Sequence, residues 1–251
     1  MKQIGYTLII ILLVGFTIPF GEHTQIFLAG DSTMSVKEKK AFPETGWGMP
    51  FADWWDSSVT VINKAKNGRS TKTFIQEGIW SSIMNEMKAG DYVFIQFGHN
   101  DESPEKKDRY TSPDSFQLNL IKFVQEVHLK KGFPVLVSPV SRRKFDKQGN
   151  AVATHEMYTP LVQAVANQLQ VPYINLDSVS RAMYQELGPD KSQLIFLQLK
   201  AGEHPNYPDG KIDNTHFNEL GARLIAQLVV KEIRATIPAL AAKIIVRNSK
   251  T

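Results

Sequence analysis

The 251-residue chain contains no cysteine. This excludes disulfide bonds, thiol nucleophiles and cysteine-ligated metal sites. Long runs of one charge are also absent, because 29 Lys and Arg residues are scattered among 25 Asp and Glu residues. A net charge of +4 without a basic tract gives no reason to expect a nucleic-acid partner. The fold must be held by its apolar core, and 42% apolar residues are typical of a globular protein.

Charge is nearly absent from residues 1–21, in which Lys2 is the only charged side chain. Residues 7–16 (TLIIILLVGF) are almost wholly apolar. A short positive segment followed by such a run is typical of a signal peptide. An uncleaved anchor is the alternative, since the uncharged stretch is long enough to cross a bilayer. We favour cleavage near Gly21, which predicts an exported protein, periplasmic or secreted, without stable membrane association, and residues 22–251 as a single domain.

Apolar runs typical of strands alternate with longer segments of helical periodicity. The runs predict strands at residues 26–29, 59–65, 92–97, 135–138 and 171–175. Because a helical segment follows each strand, the strands are expected to be parallel. No repeat and no composition break divides the chain after residue 21. The pattern predicts an α/β fold, a three-layer α/β/α sandwich around a central five-stranded parallel sheet.

The helical segments have recognisable ends. Helices are predicted at residues 46–56, 71–87, 113–131, 154–169 and 218–234, with two short helices in 178–196 broken at Gly188. Ser112 is expected to cap the third of these, with Pro113 at its first position and Gly132 ending it. Residues 197–214 are rich in Pro, Gly, Asn and Asp, and they predict a long polar loop.

Polar clusters follow three successive strands, at residues 30–32 (GDS), 67–69 (NGR) and 98–101 (GHND). The carboxyl ends of parallel strands meet at one edge of a sheet, so these clusters are expected to converge. A fourth cluster directly precedes the last helix, and its Asp213-x-x-His216 spacing lets the carboxylate hold the imidazole. A serine, a histidine and an orienting carboxylate are the parts of an acyl-transfer triad.

The four clusters occur in the order of the diagnostic blocks of the SGNH (GDSL-type) hydrolases, which this chain resembles. The blocks are Ser32 in GDST, Gly68 in NGRS, Asn100 in FGHND, and Asp213 and His216 in DNTHF. The motifs GDSTM, GWG, NGRST, QFGHND, SPVSRR and HPNYPDG narrow the resemblance to the rhamnogalacturonan acetylesterase family. The resemblance implies a flavodoxin-like SGNH hydrolase fold and a cofactor-free serine carbohydrate esterase. Its partner would be acetylated pectic oligo- or polysaccharide (rhamnogalacturonan or galacturonan), deacetylated through an acyl-enzyme intermediate.

The resemblance also implies residue roles. Ser32 would be the nucleophile, His216 the general base and acid, and Asp213 the group that sets the imidazole tautomer. The oxyanion hole would consist of the backbone N–H groups of Ser32 and Gly68 and the side-chain amide of Asn100. The residue before Gly68 is an asparagine where many members have a second glycine, which affects the turn but not the donor.

Four further residues have two possible interpretations each. Arg142 and Arg143 follow the fourth strand, at the sheet edge where the polar clusters are expected to converge. There they would either pair with a galacturonate carboxylate or form internal salt bridges. His99 would either contact substrate or brace the oxyanion loop, which is the turn of residues 98–101 that contains Asn100. Trp47, near the nucleophile loop, is the tryptophan most suited to a surface platform for sugar rings, although most tryptophans belong to the core.

Rival functions differ from a sugar esterase in what they require. A lipid esterase or lysophospholipase on the same scaffold would be expected to have an apolar lid, whereas residues 197–214 are polar. A glycosidase needs two carboxylates across a cleft, and no second acid stands out near Ser32. A carbohydrate-binding protein without catalysis would not need the complete triad. His204 and Asp209 match no metal-ligand spacing, so no metal site is predicted.

Overall fold

The computed structural model describes residues 23–246, and the predicted signal peptide lies outside this range. Five strands form one sheet in the order β2-β1-β3-β4-β5, and each pair is parallel. They are β1 (Thr24–Gly30), β2 (Val59–Asn63), β3 (Tyr92–Gln96), β4 (Phe133–Val137) and β5 (Tyr173–Ile174). The predicted three-layer α/β fold with a five-stranded parallel sheet is confirmed. After β1 the chain adds β2 on one side of it, and after β2 it adds β3 on the other side. The direction in which strands are added therefore reverses between β1 and β3, and sheets of this kind bind ligands at that point.

Helices cover both faces of the sheet. They are α1 (Gly48–Phe51), α2 (Thr71–Gln76), α3 (Ile79–Glu86), α4 (Pro113–Leu129), α5 (Tyr158–Leu169), α6 (Leu176–Lys191), α7 (Glu219–Thr236) and α8 (Pro238–Ala241). Within residues 23–246, none of the helices combines the length and apolar character that a membrane crossing requires. Ser112 caps α4 as predicted, with its hydroxyl accepting the N–H of Ser115.

The core consists of two apolar layers, one on each face of the sheet. Ile26 and Leu28 of β1 pack toward α1 and α7, whereas Phe27 and Ala29 pack toward α2 to α5. All four side chains are fully buried. Alternate strand residues point to opposite faces, so a strand buried on both sides must be apolar throughout. This explains why residues 26–29 of β1 form an unbroken apolar run, directly before the turn that carries the site.

The prediction of one long polar loop over residues 197–214 is wrong at both ends of that range. Residues at these ends pair as an antiparallel ribbon of β6 (Phe196–Leu199) and β7 (Lys211–Phe217). Asp213 and His216 therefore lie on a strand, not in a loop. Polar side chains of β7 obscured it, since only Phe217 at its end is buried. The ribbon extends from the sheet edge where β1 and β3 end.

Several predicted helices differ in length or continuity. The helix predicted over residues 71–87 is divided into α2 and α3 at Gly78, which has a φ of 74°, and only four residues of 46–56 are α-helical. Lys131 takes the left-handed conformation after α4, with a φ of 58°, in place of Gly132. A Cβ on Gly132 would lie 3.0 Å from the Asp91 carbonyl oxygen and 3.2 Å from a Val127 methyl carbon, so Gly132 lies in a tightly packed position instead.

We predict that Gly221→Ala destabilises the protein by about 1–3 kcal/mol, although alanine is the better helix former. Gly221 lies in the first turn of α7, and a Cβ there would lie 1.9 Å from the Ile195 carbonyl oxygen. The helix would have to move away from the segment that leads into β6. Urea denaturation measures the loss, with Gln227→Ala on the exposed face of α7 as control. Equal stability of the two variants would contradict this packing account.

Candidate active site

The turn after β1 presents Ser32 at the edge of the sheet. The fully buried Asp31 carboxylate accepts the backbone N–H of Thr33 at 2.9 Å and its hydroxyl at 2.8 Å. The N–H of Ser35 donates to the Asp31 carbonyl at 3.1 Å. Aspartates commonly fix turns by accepting a backbone N–H two residues on. Ser32 is therefore held between anchored neighbours, and it is only partly buried.

Strand β7 brings a histidine and a carboxylate to the Ser32 hydroxyl. His216 Nε2 lies 2.9 Å from Ser32 Oγ, and His216 Nδ1 lies 2.8 Å from Asp213 Oδ2. Asp213 Oδ1 accepts the backbone N–H groups of Thr215 at 2.8 Å and His216 at 2.9 Å. The structure therefore brings the three predicted residues together in the order serine, imidazole, carboxylate that acyl transfer uses.

The environment of Asp213 favours its ionised form. Burial by itself would raise the pKa of this carboxyl, but the hydrogen bonds and charge of His216, with the N–H of Thr215, hold that pKa well below its usual range. A carboxylate beside Nδ1 keeps the imidazole proton on that nitrogen. Nε2 then offers a lone pair to the Ser32 hydroxyl, which is the arrangement a general base needs.

Gly68 and Asn100 lie in the turns after β2 and β3. Gly68 has a φ of 76°, a left-handed conformation that glycine adopts without steric cost. The Asn100 amide donates from Nδ2 to the Arg69 carbonyl at 3.0 Å, and its Oδ1 accepts from Arg109 Nη1 at 3.4 Å. These contacts orient the amide with its nitrogen beside the Gly68 turn. An amide nitrogen has two N–H groups, so one of them can donate to a ligand.

Arg109 donates to Asn100 and lies beside Gly68, and it was not among the residues predicted from the sequence. A Cβ on Gly68 would lie 3.1 Å from Arg109 Nη1, so the guanidinium covers the turn. The side chain is 31% exposed and its Nε lies 3.4 Å from Asp108 Oδ2. Arg109 belongs to the polar loop between β3 and α4, where no motif or periodicity marks a single residue. It places a positive charge beside the predicted oxyanion donors.

The prediction of Trp47 as a surface platform for sugars is wrong, because Trp47 is fully buried. Its indole N–H donates to Gln96 Oε1 at 2.8 Å, and Gln96 Nε2 donates to Thr33 Oγ1 at 2.7 Å. The neighbouring Gly46 is packed so closely that a Cβ would lie 2.0 Å from the Ser35 carbonyl oxygen. The GWG segment therefore supports the nucleophile turn from the interior.

His99 and Arg142 belong to a cluster beneath the oxyanion loop. His99 is 6% exposed, and its ring centroid lies 4.4 Å from that of His155. Arg142 Nη1 lies 2.6 Å from Glu102 Oε1, whose other oxygen lies 2.9 Å from His155 Nδ1. Burial lowers the pKa of His99 well below its ordinary value, which favours the neutral ring. The geometry favours bracing over substrate contact for His99, and an internal salt bridge over uronate pairing for Arg142.

Arg143 is bound to the strand that carries the triad residues. Its Nη1 donates to Asn214 Oδ1 at 3.0 Å, and its backbone N–H donates to the Asn214 carbonyl at 2.8 Å. Its Nε donates to Ser192 Oγ at 2.9 Å, and its Nη2 donates to the Pro189 carbonyl. These partners occupy most of the guanidinium donors. The geometry therefore favours a role in holding β7 over pairing with a uronate.

Asp101 is a fully buried acid next to Asn100. Its Oδ1 accepts the backbone N–H of Thr71 at 2.9 Å and the Thr71 hydroxyl at 2.6 Å. These bonds join the oxyanion loop to the start of α2.

Among residues 23–246, no three His, Asp or Glu side chains are grouped closely enough to hold a metal ion. His204 instead packs against Phe42, with 5.5 Å between ring centroids.

Comparison with known proteins gives a consistent result. Residues 28–224 match the GDSL-like lipase/acylhydrolase family. Rhamnogalacturonan acetylesterase RhgT of Bacillus subtilis (strain 168) is 41% identical over 209 residues, which cover 83% of this chain and 89% of that protein. The rhamnogalacturonan acetylesterase of Emericella nidulans is 27% identical over 252 residues, covering 93% of this chain and 91% of that protein.

Solved structures share the fold. The crystal structure of the YXIM protein of Bacillus subtilis superposes with a TM-score of 0.73 at 25% identity, over 85% of this chain and 56% of that longer chain. Axe2, an acetylxylan esterase from Geobacillus stearothermophilus, superposes with a TM-score of 0.60 at 15% identity, over 85% of this chain and 95% of that chain. The second likeness concerns the fold alone.

We predict that the contribution of Asp101 to the free energy of unfolding falls as the pH rises from about 4 to about 7. Burial raises the pKa of this carboxyl to about 7, whereas in an unfolded chain it is about 3.9. The folded state therefore binds the proton more tightly. The resulting stabilisation is fully present below about pH 4, decreases as the pH rises, and is lost once the pH has passed about 7.

Asp101→Asn keeps an oxygen for Thr71 and removes the titration, so its stability relative to the wild type should rise with pH over the same interval. Urea denaturation of both proteins at constant ionic strength measures the two slopes. Asp114→Asn, at an exposed acid in the first turn of α4, is the control and should keep the wild-type slope. A wild-type slope in Asp101→Asn would mean that the buried carboxyl does not titrate in this range.

Proposed function

Because this chain belongs to the GDSL-like lipase/acylhydrolase family, we propose that Ser32, His216 and Asp213 are the catalytic triad of a carbohydrate acetylesterase acting on acetylated pectic polysaccharide. The observation that carries the proposal is the unbroken hydrogen-bonded series from Ser32 Oγ through His216 to Asp213. The series lies at the edge of the sheet where ligands of such folds bind. It provides both a nucleophile and a base.

The first half of the reaction forms an acyl-enzyme. Ser32 Oγ attacks the acetyl carbonyl carbon while His216 Nε2 takes the hydroxyl proton. The carbonyl oxygen becomes negatively charged and accepts hydrogen bonds from the backbone N–H groups of Ser32 and Gly68 and from Asn100 Nδ2. When this intermediate collapses, the bond to the sugar oxygen breaks, and that oxygen takes the proton from His216.

The second half releases acetate. A water molecule gives a proton to His216 Nε2 and attacks the acetyl carbon, so a second tetrahedral intermediate forms at the same donors. The bond to Ser32 Oγ then breaks, and His216 returns the proton to the serine. The ionised Asp213 stabilises the imidazolium present in both halves. Apart from this water molecule, each step uses side chains and backbone groups of the chain itself.

A pectic substrate is supported by the relatives and by the polarity around Ser32. Two similar proteins are named rhamnogalacturonan acetylesterases. Partly or fully exposed polar side chains surround the triad, namely Asn67, Arg69, Arg109, Arg143 and Asn214. Such a surface suits hydroxyl and carboxylate groups better than acyl chains. A lipid esterase on the same scaffold is the alternative, and a carbohydrate-binding protein without catalysis is the second.

Acetate release from several substrates tests this proposal. Acetylated rhamnogalacturonan and galacturonan should be the best substrates, ahead of acetylated xylan, chitin oligomers and short-chain lipid esters. Preference for lipid esters would establish the alternative. Absence of turnover on every ester, including a chromogenic acetate, would indicate a binding protein.

We propose in addition that residues 1–21 act as a signal peptide, on the basis of the lysine and the apolar run that follows it. Expression of the full chain in a bacterial host, followed by N-terminal sequencing of the exported protein, should give a start near residue 22. An intact N-terminus in the membrane fraction would indicate an uncleaved anchor.

We predict that Ser32→Ala and His216→Ala each lower turnover by a factor on the order of 10⁴–10⁶ while the fold is retained. The double variant should be little worse than either single one, because the hydroxyl and the base act as one unit. Acetate release from a chromogenic ester provides the rates, and thermal unfolding controls for folding. Strictly additive losses would contradict the triad assignment.

We predict that Asn100→Ala lowers kcat by about 10²–10³ and leaves KM nearly unchanged, since the amide donates mainly to charge that develops in the transition state. Asn100→Asp should be worse, because a carboxylate would repel the oxyanion. Asn85→Ala, at an exposed position of α3, is the matched control. A rise in KM with unchanged kcat would assign Asn100 to substrate binding instead.

A further inference from the structure

Lys37 is a lysine in an unusual place. Its side chain is 2% exposed, whereas lysines are almost never buried unless paired. Its ammonium nitrogen lies 2.7 Å from Glu44 Oε1, and it donates to the Ser32 carbonyl at 2.6 Å and to Asn67 Oδ1 at 2.7 Å. An ammonium group has three N–H donors, so these three acceptors satisfy it completely.

Two of these acceptors belong to the turns that hold the predicted oxyanion donors. Ser32 lies in the turn after β1, and Asn67 immediately precedes Gly68 in the turn after β2. The Ser35 hydroxyl also donates to Asn67 Oδ1, at 2.6 Å. Side-chain bonds through one amide oxygen therefore join the two turns beyond the end of the strand ladder.

Further bonds extend this connection to the third donor. Arg69 Nη1 donates to the Asn67 carbonyl at 2.8 Å, and the Arg69 carbonyl accepts Asn100 Nδ2 at 3.0 Å. A continuous series of bonds therefore runs from Lys37 through Asn67 and Arg69 to Asn100. Lys37 lies at its buried end, beside the nucleophile.

We propose that Lys37 is a positioning residue that sets the orientation of the Ser32 turn relative to the Gly68 turn, through the Ser32 carbonyl and Asn67 Oδ1. The inference rests on the proposed function, in which both turns donate to the oxyanion. Donors must lie about 2.7–3.1 Å from that oxygen, and a displacement of about 1 Å can lower the rate about 10²-fold. Without Lys37, the link between the Ser32 carbonyl and Asn67 depends on the Ser35 hydroxyl alone, whose single proton goes to Asn67 Oδ1 at 2.6 Å and whose oxygen lies 3.3 Å from the Ser32 carbonyl oxygen.

A purely structural ion pair with Glu44 is the competing explanation, and the two roles use different bonds of the same ammonium group. Glu44→Gln removes the charge pair but keeps the lysine bonds to Ser32 and Asn67. Asn67→Ala removes the bond from Lys37 to the turn after β2, together with the Ser35 bond to the same amide oxygen, and keeps the ion pair between Lys37 and Glu44. Lys37→Met removes all three bonds, and Lys37→Met with Glu44→Gln avoids leaving a carboxylate buried without a partner.

Steady-state kinetics on a neutral acetate ester separate these explanations. We expect Lys37→Met, with or without Glu44→Gln, to lower kcat tenfold to a hundredfold with KM changed less than about twofold. Asn67→Ala should lower kcat as well, because it removes the Asn67 bonds to Lys37 and to Ser35. Combined with Lys37→Met, its effect should be less than additive, because the Lys37–Asn67 bond is lost only once. Lys64→Met, which removes a lysine paired with Glu86 at 2.6 Å, is the matched control and should leave kcat unchanged.

Glu44→Gln decides between the two roles. If Lys37 positions the turns, this variant should lower the unfolding temperature and largely keep kcat. Equal losses of kcat in Glu44→Gln and Lys37→Met, or an unchanged kcat in Asn67→Ala, would overturn the inference. Asn67→Ala leaves the buried pair intact, so it provides a result even if Lys37→Met does not fold.

Ser32→Ala in the same assay distinguishes this inference from the proposed function. Loss of activity in Ser32→Ala with wild-type kcat in the Lys37 variants would overturn only the positioning role. Full activity in Ser32→Ala would overturn the proposed function itself.

Discussion

The proposed chemistry depends on the hydrogen bond between Ser32 Oγ and His216 Nε2, and the fold must bring these two groups together. This bond joins residues 184 positions apart at a distance of 2.9 Å. β1 must deliver the serine to the sheet edge, and the ribbon of β6 and β7 must extend over that edge from the far end of the chain. The close contact of Gly221 with the Ile195 carbonyl holds the beginning of α7 against this ribbon. Arg143 fastens the same strand through Asn214.

Buried polar groups beneath the site restrict the conformations that the nucleophile turn can adopt. Asp31, Gln96 and Trp47 are fully buried, and their hydrogen bonds lead to Thr33 in the nucleophile turn. Buried polar groups are costly unless they are bonded, so the turn has few alternatives of similar energy. Lys37 and Asn67 join this turn to the turn after β2. Rigid donors are what a site needs if it is to stabilise an oxyanion without reorganising.

The parallel sheet and the residues of the predicted site could be inferred from the sequence because each leaves a pattern. Buried parallel strands are continuous apolar runs, and polar residues at their carboxyl ends share one edge. The Asp213-x-x-His216 spacing is local in the sequence, so it can be recognised without knowledge of the fold.

Four features left no such pattern. Lys37 and Arg109 act through contacts with distant turns, and neither belongs to a motif or a periodic segment. Trp47 was assigned to the wrong side of the nucleophile turn because a tryptophan near a site looks the same in the sequence whether it is exposed or buried. β7 was missed because its residues are mostly polar, and its pairing with β6 became visible only in the structure.

The central claim is that Ser32 carries the acetyl group during turnover, and detection of that intermediate tests it most directly. Acid quenching of the protein during hydrolysis of an activated acetate ester, followed by peptide mass spectrometry, locates the acetyl group. The account predicts a transient acetyl group on the peptide that contains Ser32, which disappears when the ester is exhausted. A transient acetyl group on another residue that is turned over at the catalytic rate would contradict it.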